Sequence, residues 1–170
     1  MATTQSTDTL PSSIPKLDPT GVNWPIFAEC FQEAVASKKL WGHFAGSVTR
    51  PQPAGTTPTA EEIEKTTKWD ENEATARYLL SQKLPDSALM KIRRYPTVAE
   101  RWSAIQLDFT SKGMFAQTDL RKRFLASKCP PKANVRNFLD GLATKREELM
   151  SLGVEIDDKD MRSTIVSCLP

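Results

Sequence analysis

From Val135 to Pro170 the apolar residues recur at three- and four-residue intervals, a spacing that allows helices and little else. Val135, Phe138, Leu139, Leu142, Leu149 and Leu152 fall on one side of a 3.6-residue period, leaving Arg136, Lys145, Arg146, Glu147 and Glu148 for water. Gly153 stops that helix, because glycine accepts the left-handed backbone of a C-terminal cap without steric cost. Asp157 then offers a side-chain oxygen to a second helix, whose apolar residues are Met161, Ile165 and Leu169. No residue set in this stretch suits catalysis. A chain that spends its clearest pattern on packing faces is expected to bind or assemble.

The same periodicity runs through the rest of the chain. Asn23 can cap a helix carrying Trp24, Phe27, Ala28, Phe31 and Val35 on one face, with Pro25 in its first turn, where a missing N–H does no harm. Trp41 and Phe44, close to Gly42 and Gly46, predict a short further turn. Arg50–Thr59 holds three prolines and a glycine and reads as a loop. Thr59 and Glu62 form a capping box for a long helix with Trp69, Ala76, Leu80 and Leu84 on its apolar side. Pro85 ends it, and Asp86 caps a shorter helix through Leu89 and Ile92. Thr97 and Glu100 make a second box, behind which Val98, Trp102, Ile105 and Phe109 are spaced four, three and four. Gly113 is the expected lobe boundary, followed by a helix with Leu120, Phe124 and Leu125, then the break at Pro130-Pro131. Sustained alternation with β-branched residues occurs nowhere, so the expected class is all-α with essentially no sheet and no internal repeat. The best core candidates are Trp24, Phe31, Trp102, Phe109, Phe138 and Leu142.

The domain reading is a flexible arm over 1–16, rich in Ser, Thr and Pro, an N-terminal lobe over 17–112 containing the 50–59 loop, and a C-terminal lobe over 113–170. At 170 residues, 39% hydrophobic and 26% charged, the chain has the length and composition to bury a core. No segment approaches the roughly 20 apolar residues that span a bilayer, and the N-terminus lacks the pattern of a secretory signal. Cys30, Cys129 and Cys168 show no paired spacing, which points to neither a disulfide framework nor a zinc site, and a reducing, cytoplasmic location is the simplest expectation.

Chemistry is sparse. His43, the one histidine, is expected to be a packed or surface residue, because no nucleophile is arranged around it. Asp18 opens D-P-T-G, whose proline spoils any likeness to an aspartic-protease turn. Asp157, Asp158 and Asp160 lack the turn glycine and distal glutamate of a calcium loop and suit a helix N-terminus instead. No phosphate-binding, dinucleotide or zinc-protease motif is present, so no catalytic residue, cofactor or metal is expected. Although the net charge is only +2, basic residues crowd two places: Lys91, Arg93 and Arg94, and then Lys112 through Arg136 with only Asp119 opposing. Arg121, Lys122, Arg123, Lys128 and Lys132 are therefore the candidate nucleic-acid contacts, with a solvated face or pairing to another copy's Glu61–Glu73 region as the alternatives. No aromatic residues interleave with them to stack on bases.

Three segments in order resemble the capsid region of Gag proteins from copia-type LTR retrotransposons. KLDPTGVNWPIFAECFQEAV is similar to that family's opening motif, YPTVAERWSAIQLDF to its tryptophan helix, and VRNFLDGLATKREELMSLGVEIDDKDMRSTIVSCLP to its close. In the first segment Asp18-Pro19-Thr20-Gly21 is looser than the family pattern, and Trp24 directly follows Asn23, shifting the tryptophan's register. The resemblance covers Leu17 to Pro170. It implies a retroviral-capsid-like bundle of about seven helices in two lobes, a structural protein that self-associates into capsid or virus-like shells, and contact with RNA; it implies no enzyme activity, no small-molecule substrate and no membrane partner. Relatives of this kind carry a further helix and often a zinc knuckle beyond the Leu-Pro close, so the C-terminal lobe is read as incomplete, as in a truncated or host-domesticated copy. The alternative reading is a monomeric helical adaptor, derived from such a lobe, that receives a partner peptide between helices.

Overall fold

A computed structural model describes residues 9–168; the first eight residues of the expected arm, and Leu169 and Pro170 of the closing motif, lie outside the described residues. Among the described residues there are seven helices and no strand: α1 (Trp24–Ser37), α2 (Trp41–Phe44), α3 (Ala60–Lys83), α4 (Asp86–Ile92), α5 (Val98–Leu125), α6 (Val135–Ser151) and α7 (Asp158–Cys168). The all-α expectation is met. The chain divides into two compact units, Met1–Pro19 with Phe27–Asp108, and Thr20–Ile26 with Phe109–Pro170.

In the first unit the helix starts follow the capping chemistry. Thr59 Oγ1 accepts from Glu62 N at 3.3 Å while Glu62 Oε2 accepts from Thr59 N at 2.9 Å, closing the box that opens α3. Thr97 and Glu100 do the same for α5, both at 3.3 Å. α4 differs from expectation: Asp86 is its first residue and Pro85 holds the cap position without a side-chain bond. The core is aromatic. Trp102 stacks on Phe31 with centroids 5.2 Å apart, and both Trp41 and Phe44 meet it edge to face. Within the expected arm, Leu10 and Ile14 are buried, and Lys83 donates from Nζ to the carbonyls of Pro11 and Ile14.

The second unit corrects one expectation directly. Gly113 does not separate two helices; it lies buried inside the 28-residue α5. A glycine in a helix interior loses only about 1 kcal/mol against alanine, so it need not break one. Here it has a packing reason, because a Cβ on Gly113 would sit 2.8 Å from the Gly21 carbonyl oxygen. Gly21 is itself held at φ +79°, and its carbonyl accepts the Trp24 N–H that opens α1. Gln117 Nε2 fastens the same region, donating to the Val22 carbonyl at 3.1 Å and to Leu152 at 3.2 Å.

α6 is capped by Asn134, whose side chain accepts from Asn137 N. It ends as expected on Gly153 (φ +81°): Gly153 N donates to Met150 O and Val154 N to Leu149 O, the two bonds of a Schellman motif. Asp157 Oδ1 then accepts from Asp160 N at 2.6 Å and starts α7. Phe124, Leu142, Leu149, Val154 and Ile156 form the core here, with Leu120, Leu125, Met161 and Ile165 packed against it. Five of the six core candidates are buried; Phe138 is not. Phe138 and Leu139 are half-buried and Val135 is exposed, although all three share the periodic face, so the start of α6 is less covered by the described residues than its later turns.

Candidate functional site

The five basic residues singled out from sequence lie in the second unit, on the end of α5 and the segment after it. Consecutive helical residues point about 100° apart, so Arg121, Lys122 and Arg123 cannot present one flat face. Arg121 turns to α7 and pairs with Asp160, and the neighbouring Asp157 and Glu155 charges add to what holds its guanidinium above the usual range, after the Asp160 hydrogen bond and charge. Arg123 turns back one helical turn to Asp119 at 2.7 Å. Lys128 donates to the Ser167 carbonyl near the end of α7. Lys122 and Lys132 are exposed and have no side-chain partner among the described residues, and the same holds for Arg136. Three of the five thus have internal bonds, and two stand open to solvent.

The acidic triplet is likewise occupied. Asp157 caps α7, Asp158 accepts from Arg146 at 2.8 Å, and Asp160 holds Arg121. Among the described residues no group of three His, Cys, Asp or Glu side chains is placed to hold a metal ion. No helix among them is long and apolar enough to cross a membrane.

The first unit contains a feature the sequence reading passed over. His43 is buried against the Trp69 ring, centroids 5.2 Å apart, and its Nδ1–H donates to Glu73 Oε2 at 2.9 Å. The other carboxylate oxygen, Oε1, accepts from Val98 N, the first N–H of α5, at 2.6 Å. One buried carboxylate therefore ties α2, α3 and the start of α5, and it suits the positive end of the α5 dipole. Both oxygens of this carboxylate are thus engaged in hydrogen bonds within the unit. Glu73 was legible in principle: Trp69, Glu73, Ala76 and Leu80 are spaced four, three and four, which places a carboxylate on the apolar stripe of α3.

Beside this pair lies a hollow of about 570 Å³, lined by His43, Trp69, Glu73 and Arg77 on one side and Val48, Pro96, Thr97 and Ala99 on another. Arg50 and Asp70 form part of its wall, joined by two parallel hydrogen bonds of 2.8 Å. That bond lowers the Asp70 pKa, the Arg50 charge adding to it and Arg77 contributing further. Trp69 is fixed by its Nε1–H donating to the Val48 carbonyl at 3.0 Å.

Among the described residues the chain is all-helical and forms two compact units, the architecture of a helical bundle. Residues 32–170 match the family described as gag-polypeptide of LTR copia-type. The chain belongs to that family and has a Gag-like structural role, the family being structural and non-enzymatic. Comparison with curated proteins finds no match, and comparison with solved structures finds none.

Proposed function

We propose that this chain self-associates as the capsid-like part of a Gag protein, building shells in the cytoplasm and contacting RNA, with its two units acting as N-terminal and C-terminal capsid-like lobes. The observation that carries this reading is the family match across residues 32–170. Surface chemistry supports it. Phe115 and Val166, in the second unit, are 77% and 79% exposed, and Met114 beside Phe115 is also open. Large apolar side chains left in water are what an assembling surface needs before its partner arrives. Light scattering coupled to size exclusion, followed by electron microscopy across salt and protein concentration, tests the assembly; growth of particles is expected, and a monomer under every condition refutes it.

RNA contact rests on the open cations Lys122, Lys132 and Arg136. Replacing Arg121, Lys122 and Arg123 together by Glu is expected to weaken RNA binding and flatten its salt dependence. Because Arg121 also holds α7, the cleaner variant is Lys122→Glu with Lys132→Glu, which touches no internal pair. If each lysine meets one phosphate, that double variant lowers the slope of log K against log salt by about 1.4 for a single strand. Parent-like binding in a filter assay removes these cations from the proposal.

A further inference from the structure

We infer that the hollow beside the His43–Glu73 pair is a binding site for a peptide presenting one apolar side chain next to a carboxylate. This goes beyond assembly, because the site lies wholly within the first unit and needs no second copy.

Its size, about 570 Å³, is that of a small-ligand pocket and accommodates a side chain with its flanking backbone. The walls specify the apolar half of the ligand: Val48, Pro96, Ala99 and the Trp69 ring, which its bond to Val48 holds in place beforehand. The charges specify the other half. Arg77 Nε donates only to the Glu73 carbonyl, at 3.4 Å, and the nearby Arg101 donates to the Tyr95 carbonyl at 2.9 Å. Neither guanidinium has an ion-pair partner among the described residues. Asp70 is already bound in two places to Arg50, and both Glu73 oxygens are used. Of the two arginines that line the hollow, Arg50 is thus paired with Asp70, and Arg77 is left with no carboxylate bonded to it beside an apolar wall. A single carboxylate balances it and matches the planar fork of a guanidinium. A nucleic-acid strand brings a run of charges that this one cation cannot match.

The carboxylate can be a peptide's terminal group or a neighbouring acidic side chain, and a titration of the full chain distinguishes them. The readout is the Trp69 indole N–H resonance, assigned with Trp69→Phe. The probes are N-acetyl-leucine against N-acetyl-leucinamide, and acetyl-Glu-Leu-amide against acetyl-Gln-Leu-amide. At least one acid is expected to shift that resonance and to bind about tenfold more tightly than its neutral analogue, the loss of one charge-assisted hydrogen bond. Whichever acid binds better identifies the source of the carboxylate. Arg77→Gln is expected to erase the difference between acid and neutral probe, and Ala99→Leu, which fills the hollow from the half-buried first turn of α5, to abolish binding while leaving the circular dichroism spectrum unchanged. Three results overturn the assignment: no shift with any probe, equal affinity for acid and neutral forms, or tighter binding of adenosine monophosphate than of either acid.

Discussion

The same substitution, glycine to alanine in a helix interior, is expected to have opposite effects at Gly141 in α6 and Gly113 in α5. Alanine is the better helix former by about 1 kcal/mol, because it restricts the unfolded chain and shields the backbone. Gly141 is exposed and a Cβ there meets nothing within 4 Å, so Gly141→Ala should stabilise by roughly that amount. At Gly113 the added carbon would stand 2.8 Å from a backbone carbonyl oxygen, that of Gly21, and 3.4 Å from the Trp24 Cβ. That carbonyl cannot retreat freely, since it accepts the N–H that opens α1 from a residue at positive φ. Overpacking of this kind costs about 1–3 kcal/mol. After the propensity gain, Gly113→Ala should be destabilising by up to about 2 kcal/mol. Urea titration followed by circular dichroism reads both variants. With a slope of about 2 kcal/mol/M, the midpoint should rise by about 0.5 M for Gly141→Ala and fall by up to about 1 M for Gly113→Ala. A rise for both would refute the close approach and return Gly113 to the status of an ordinary helical glycine.

Trp102 touches Phe31, Trp41 and Phe44 and is nearly buried, so Trp102→Ala should destabilise by about 3–5 kcal/mol in thermal or chemical melts; a neutral result would displace the core from this cluster. Asp157→Ala removes the 2.6 Å cap on α7 and should lower stability by about 1 kcal/mol, with asparagine restoring most of it. Hydrogen bonds from Thr59 N and then Ala54 N hold the Glu62 carboxyl below its ordinary value of 4.5. Because the folded pKa is the lower one, that stabilisation is complete above about pH 4.5 and is lost as pH falls through the folded value. Melts of Glu62→Gln should therefore show a shallower acid decline than the parent, and parallel declines would rule out a contribution from the box.

The helices were readable because their starts and stops are local chemistry. Thr59 with Glu62, Thr97 with Glu100, Asp157 and Gly153 act within a few residues of themselves, and each is found doing what its type and spacing predict. Misreadings arose where a distant partner decides. Gly113 carries no local mark of the Gly21 carbonyl that makes it necessary. Phe138 has the right period, but burial also requires an element laid over it, and the described residues cover the start of α6 only in part. The basic cluster was visible as composition, whereas the division between engaged and open cations depends on Asp160 and Ser167, which belong to another helix. Glu73 shows the converse: its position on the apolar stripe was legible, but its two partners, His43 and Val98, were not.

The second unit is discontinuous in the chain, since Thr20–Ile26 belongs to it while the residues on either side of that segment belong to the first. Gln117 bonds to the Val22 carbonyl across a separation of 95 residues. During synthesis the opening segment must wait for α5 to emerge before its contacts can form, and contacts of such separation slow folding. Expressing residues 113–170 alone would remove Gly21 and Val22, leaving the buried side of Gly113 and a Gln117 bond without their partners. A faithful isolated second unit would need Thr20–Ile26 supplied in trans or joined through a linker, and its yield with and without that segment would measure how much of its order comes from the far end of the chain.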